Sequence, residues 1–258
     1  MGSLRVKDPA RIRALLESDR PWAAYALADL NPGFWEHSEW LALKDSPPAL
    51  VLLYRRADPA VIFALGTADR LAPMIQELEL PVLSLHVRPE ALAAIENRYQ
   101  VTSVQPQWRM TLGPELFRPL PSGDVSRLGP GDLAAMRVLY ADGEPGGEAP
   151  DFFDASMVEQ GMFRGLWEGA ALVAVAGTHV VSPVESVCAI GNVYVRHDRR
   201  GRGLGERVTS AVAADALAKG LRTVVLNVSQ SNLAAVRVYE RLGFRRYCPF
   251  VAGRALRS

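Results

Sequence analysis

Apolar positions along this chain of 258 residues recur with a helical period in some stretches and a strand period in others. Residues 8–43 carry the helical spacing. Asp8-Pro9 opens a first helix with Ile12, Leu15 and Leu16 on one side, and residues 21–30 and 33–43 continue as Trp-rich helices broken at Pro32 and Pro47-Pro48. Two apolar runs, 49–54 and 60–65, flank Arg55-Arg56-Ala57-Asp58-Pro59 and predict a hairpin. A helix over 68–78, a strand over 81–87, a helix over 89–99 and a strand over 101–112 follow. Gly113-Pro114, Pro119 and Pro121-Ser122-Gly123 then form the best linker candidate.

The second half runs through a similar order. A strand at 126–128 precedes a helix opened by Gly131-Asp132 and carrying Leu133, Met136 and Tyr140. A glycine-rich acidic loop spans 142–151, and a helix covers 152–160. Residues 162–167 and 170–181 form a hairpin turned at Glu168-Gly169. A strand at 187–195 leads to a helix over 204–219 that Gly220 ends, with Leu204, Val208, Ala211, Val212 and Ala216 on one face. Strand 223–228, helix 232–242 and strand 244–251 complete the chain. Residues 85–95 reappear 141 positions later as 226–236, so that Leu85-His86-Val87 and Leu92-Ala93-Ala94-Ile95 match Leu226-Asn227-Val228 and Leu233-Ala234-Ala235-Val236. The pattern predicts a duplicated mixed α/β fold, with domains at 1–118 and 119–258. The copies differ where chemistry is expected. Ala91 stands opposite Asn232 and Arg98 opposite Tyr239, and the first hairpin passes into its helix at Ala68 without a glycine turn.

Composition narrows the function. The chain is 49% hydrophobic and 22% charged, enough for a real core. A net charge of +1 argues against a dedicated nucleic-acid partner. Cys188 and Cys248 do not make a disulfide framework and read as reduced core thiols. The first 20 residues lack an apolar leader, and the longest apolar run, near 170–176, is too short to span a bilayer, so a cytoplasmic protein without a membrane partner is expected.

The chemistry concentrates in residues 191–205, an apolar strand followed by a turn rich in Arg and Gly and then a helix. Gly201, Gly203 and Gly205 let a ligand approach the backbone, and the helix start presents free N–H groups and the positive end of its dipole. This suits a phosphate or pyrophosphate. Gly205-Glu206-Arg207 is not the Gly-Lys-Ser/Thr of a P-loop, and Glu206 stands where a dinucleotide fingerprint requires glycine. R-x-x-G-x-G does fit, at Arg200, Gly203 and Gly205. Downstream, Asn232 and Tyr239 are close to two helical turns apart, roughly 10 Å along one face. Asn232 is an N-cap candidate able to bond its own helix or a ligand amide, and Tyr239 is a core or proton-donor candidate with an ordinary pKa near 10. The Arg196, Arg199, Arg200 and Arg202 run has no stacking aromatics, against nucleic acid. His37, His86, His179 and His197 lack metal-ligand spacing, no Ser–His–Asp set is visible, and nothing marks Cys188 as activated.

With Val193-Tyr194-Val195, Arg200-Gly201-Arg202-Gly203-Leu204-Gly205 and Asn232 through Val238-Tyr239-Glu240-Arg241-Leu242-Gly243-Phe244 in this order, residues 125–251 resemble the GNAT superfamily of acyl-CoA-dependent N-acyltransferases. The tandem layout is similar to that of two-domain members of the glycine N-acyltransferase type, whose N-terminal half is degenerate. The resemblance implies an α/β (α+β) fold of two GNAT-like domains, each a mixed, mostly antiparallel sheet flanked by helices. It implies acetyl-CoA or another acyl-CoA as co-substrate, without a metal. Backbone N–H groups from Arg200 to Gly205 would take the pyrophosphate, and Val193 and Val195 would pair with pantetheine. Tyr239 would protonate the thiolate as a small-molecule, peptide or protein amine attacks. The base is open among Glu144, Glu148, Asp151, Glu185 and His179. The carboxylates of loop 142–151, with Glu144, Glu148 and Asp151 as substrate-binding candidates, would steer a cationic amine. A non-catalytic acyl-CoA-binding or regulatory module is the alternative. A homodimer is left open.

Overall fold

The computed structural model describes residues 4–43, 47–146, 149–150 and 152–258. They fall into two compact units. The first comprises residues 1–109, 228–231 and 246–258, and the second residues 110–227 and 232–245. The sequence places a boundary at 118/119; the division into compact units comes earlier, at Arg109/Met110, and assigns the C-terminal strand to the first unit.

In chain order the first unit contains β1 (Leu4–Arg5), α1 (Pro9–Leu16), α2 (Ala24–Ala28), α3 (Pro32–Trp35), β2 (Ser38–Ala42), β3 (Leu50–Tyr54), β4 (Val61–Leu65), α4 (Ala68–Gln76), β5 (Val82–Val87), α5 (Pro89–Glu96) and most of β6 (Tyr99–Leu112). β1 to β4 pair antiparallel in sequence order, and β5 joins β4 in parallel. The apolar spacing of 33–43 predicts one helix, but Pro32 supports only a single turn. Ser38–Ala42 is instead a strand paired residue for residue with β3, its last three residues buried. Cross-strand pairing and burial override a local helical pattern this short. α4 and α5 cover one face of this sheet. Leu71, Met74, Ile75, Ala94 and Ile95 pack there on Leu53, Ile62, Leu85 and Val87. Each such aliphatic side chain contributes about 1.5–3 kcal/mol on leaving water. On the other face the Trp22 indole donates to the Ala64 carbonyl at 3.0 Å and stacks on Phe63. The last strand, β12 (Arg245–Arg257), runs antiparallel to β5, from Val251 opposite Val87 to Leu256 opposite Val82. It outruns the expected 244–251. Gly253 permits its close approach to β6, because a Cβ there would lie 2.2 Å from the Ser103 carbonyl oxygen.

The second unit contains β7 (Ser126–Leu128), α6 (Leu133–Ala141), α7 (Ala155–Gln160), β8 (Phe163–Glu168), β9 (Ala171–Ser182), β10 (Val187–Val195), α8 (Leu204–Ala218), most of β11 (Thr223–Ser229) and α9 (Leu233–Arg241). β7 to β10 pair antiparallel in order, and β11 joins β10 in parallel. This is the same order as β1 to β5, so each unit is a mixed, mostly antiparallel α/β sheet flanked by helices. α6 and α7 cover one face, where Met136, Leu139, Tyr140 and Val158 pack with Phe163, Val175 and Tyr194. α8 buries Val208, Ala211, Val212 and Ala216. The Arg164 guanidinium ties β8 to α8 by donating to both Asp215 oxygens, at 2.7 and 2.6 Å. No helix among the described residues is long and apolar enough to cross a membrane.

Candidate active site

The two copies part company at one pair of strands. In the first unit β4 runs straight. All five of its residues pair with β3 without a break, and Phe63 is still opposite His86 on β5. In the second unit the β10–β11 ladder ends at Ile190 opposite Leu226, and β10 bulges against β9 between Gly191 and Tyr194. Asn192 takes a left-handed φ of +52° to make the bulge. Beyond Ile190, Tyr194 and Val195 keep β9 on one side, Val193 lies in the bulge, and none of the three has a ladder partner toward β11, so a wedge opens there. An extended amide chain can fill such an edge as an extra strand.

Below the wedge lies the glycine turn. Gly201 and Gly203 have φ of +76° and +74°, and a Cβ on Gly205 would meet Val195 Cγ2 at 3.3 Å. Gly203 is the N-cap of α8 and offers no side-chain acceptor, so the first N–H groups of a 15-residue helix point outward uncapped. The four arginines of the run divide. Arg196 is held by Asp198 at 2.7 Å, and Arg199 by Glu168 and Asp198, each at 2.6 Å. Arg200 donates to the Val195 carbonyl at 3.2 Å and lies over the Tyr194 ring. Arg202 is exposed and makes no ion pair among the described residues. Glu206 and Arg241 pair at 2.7 Å, joining the start of α8 to the end of α9.

Asn232 is the N-cap of α9. Its Oδ1 accepts from Ala235 N at 3.0 Å, which leaves the amide nitrogen for another partner. Tyr239 is 7% exposed, against Phe244, and burial pushes its pKa up to about 12. Its hydroxyl makes no hydrogen bond among the described residues.

Structure redistributes the remaining candidates. Glu144 is exposed in a 3₁₀ turn, while Glu148 and Asp151 lie outside the described residues. Glu185 is buried at the turn joining β9 to β10, at the other end of β10 from the wedge. His179 reaches it: a Cβ on Gly191 would lie 2.3 Å from the imidazole, so the ring occupies the place of a side chain at the mouth of the wedge. The carbonyl of neighbouring Asn192 accepts from the Tyr140 hydroxyl at 2.9 Å, its amide nitrogen reaches Met157 Sδ, and its buried Oδ1 has no partner. Cys188 is fully buried, and burial pushes its thiol up to about 12.

One network was not legible in the sequence. Asp142 Oδ2 accepts from the Tyr194 hydroxyl at 2.9 Å and from the His197 backbone N at 2.9 Å, and lies 3.0 Å from His197 Nδ1. The acidic loop thereby pins the start of the arginine turn to its strand. These bonds hold the Asp142 carboxyl below the usual carboxylate range, the His197 backbone bond foremost. Isolated glycine in the strand at 191 was the one available signal of the bulge and of close packing there.

The second unit is thus a mixed α/β fold with a parted strand pair beside an uncapped helix start. Residues 134–244, nearly all of them in the second unit, match the model of the Acetyltransferase (GNAT) family. A mycothiol acetyltransferase of Geodermatophilus obscurus is 39% identical over 114 residues, 43% of this chain and 35% of that protein; the match spans about a third of the relative's length. Two solved structures share the fold along nearly the whole chain. A protein of Drosophila melanogaster superposes with a TM-score of 0.69 at 15% identity, covering 98% of each chain. A GCN5-related N-acetyltransferase from Kribbella flavida has a TM-score of 0.63 at 16% identity, covering 92% of this chain and 94% of its own.

Proposed function

We propose that this protein is an acyl-CoA-dependent N-acyltransferase that moves an acetyl group from acetyl-CoA to a primary amine in its second copy, the first being a degenerate copy. The wedge between β10 and β11, set directly above the uncapped N-terminus of α8, carries the reading. A pyrophosphate takes the N–H groups from Arg200 to Gly205, with Arg202 as a nearby cation. Pantetheine amides pair with the open edge of Val193 and Val195, and the Asn232 amide nitrogen donates to a pantetheine carbonyl.

The amine lone pair attacks the thioester carbonyl, the C–S bond breaks, and the thiolate takes a proton from the Tyr239 hydroxyl. A pKa raised to about 12 keeps that phenol protonated through the physiological range. His179, at the mouth of the wedge, accepts the proton the amine loses. The matching place in the first unit is closed, since Trp22 caps the Ala64 carbonyl and β4 has no bulge. The decisive experiment mixes the protein with acetyl-CoA and a panel of small amines and amine-bearing peptides while following free CoA thiol. Amine-dependent release supports the reading. Tight CoA binding by calorimetry without release across the panel would favour a non-catalytic acyl-CoA-binding module.

A further inference from the structure

Arg109, on β6 of the first unit, is a buried cation. It is 3% exposed, yet no carboxylate among the described residues lies within ion-pair distance of it. Its guanidinium sits over Trp22 at 5.2 Å, Tyr25 at 4.8 Å and Phe250 at 5.7 Å, and its one hydrogen bond, to the Pro21 carbonyl, is a long 3.5 Å. Its buried Nε has no partner among the described residues. A second guanidinium, that of Arg88, lies 5.1 Å from the same Trp22 ring, and its Nε is also buried and unpartnered. One acid serves the pair. Asp19 takes Arg88 at 2.6 Å and already accepts from the Tyr247 hydroxyl at 2.6 Å. Cys248 beside Arg88 supplies no anion, because burial raises its thiol despite both arginines.

Two guanidiniums against one carboxylate leave a buried surplus of one positive charge. Stacking on aromatic rings offsets only part of what an unpaired buried ion costs. A monoanion would close the deficit. A carboxylate matches the planar fork of an arginine and lies flat against aromatic walls. The cluster reaches solvent at its rim, where Tyr247 is 41% exposed and Arg88 about a quarter exposed.

We propose that Arg88 and Arg109, stacked on Trp22 in the first unit, form a binding site for a small carboxylate. The carboxylate is that of a small ligand held by the first unit alone.

The test uses the full chain and follows tryptophan fluorescence on titration with sodium acetate or glycine, against sodium chloride at equal ionic strength. Wild type should show a saturable response that Trp22→Phe removes, and Arg109→Met should weaken the apparent affinity at least tenfold. Should Arg109→Met fail to fold, Arg88→Gln at the rim is expected to show the same loss. No saturable response in wild type, or unaltered affinity in the arginine variants, overturns the proposal. The fluorescence result stands whether or not the protein transfers acetyl groups, so failure of the proposal and failure of the acyltransferase reading are distinguishable.

Discussion

The imidazole of His179 occupies the position that a side chain at Gly191 would need, 2.3 Å from the ideal Cβ. The ring is therefore held at the residue where β10 leaves β11. Gly191→Ala must displace it. We expect turnover to fall about as far as in His179→Ala, by roughly 10²–10⁴ for loss of a general base, while CoA affinity by calorimetry stays within a few fold. Free imidazole should restore part of the lost rate in His179→Ala. Absence of any rescue, with turnover unchanged in both variants, removes His179 from the reaction.

Tyr239→Phe deletes one hydroxyl that has no hydrogen-bond partner among the described residues, so folding should be nearly unaffected. Turnover should fall by about 10²–10⁴ if the phenol protonates the thiolate. Because its folded pKa is raised to about 12, Tyr239 stays protonated at neutral pH and ionises only in strong alkali. The rate profile of the wild type should accordingly show no alkaline limb from this group below about pH 10, the ordinary tyrosine value. A steady-state rate equal to wild type would assign the proton to another donor.

Gly203→Ala forces a side chain into the left-handed region at the N-cap of α8, where φ is +74°. The cost is about 1–2 kcal/mol of stability, readable as a lower urea midpoint. Acetyl-CoA binding should weaken as well, since the uncapped N–H groups shift. Gly220→Ala, at φ +75° beyond the other end of the same helix, should cost similar stability and leave CoA binding intact. Equal CoA affinity in the two variants would argue against a pyrophosphate at the turn.

Arg202→Ala should weaken acetyl-CoA binding and flatten its salt dependence, because this side chain is uncommitted among the described residues. Arg199→Ala should do much less, its guanidinium being held by Glu168 and Asp198. Isothermal titration at two salt concentrations separates them, and equal losses would indicate only a diffuse basic loop.

Asp142→Asn removes the carboxylate that ties Tyr194 to His197. The folded pKa of Asp142 lies below its unfolded value. Its stabilising effect is therefore fully present above the ordinary carboxylate pKa of about 3.9 and fades as pH falls through the lower folded value. Wild type should exceed the variant in thermal midpoint at neutral pH, and the gap should close on acidification below pH 4. A gap that persists there would mean the geometry of the bonds matters rather than their charge.

Much of this architecture was legible from local pattern. Short apolar runs marked β3, β4, β8 and β9, Gly220 marked the end of α8, and the repeat from 85–95 to 226–236 marked the duplicated strand and helix. The glycine turn was legible for the same reason, since left-handed φ at 201 and 203 demands glycine whatever surrounds it. Ser38–Ala42 was misread because its apolar spacing suits a helix until β3 is present to pair with it. Asp142 read as one of several loop acids, since its partners lie 52 and 55 residues away.

The sequence by itself therefore determined most of the elements, the internal repeat and the glycine turn, all of which follow from backbone geometry and periodicity over a few residues. Only the tertiary structure decided where β10 leaves β11, which base candidate reaches that opening, and that two arginines share Trp22 over a single acid. Those facts depend on strand register and on side chains from distant segments meeting in a low-dielectric interior, and no local pattern encodes either one.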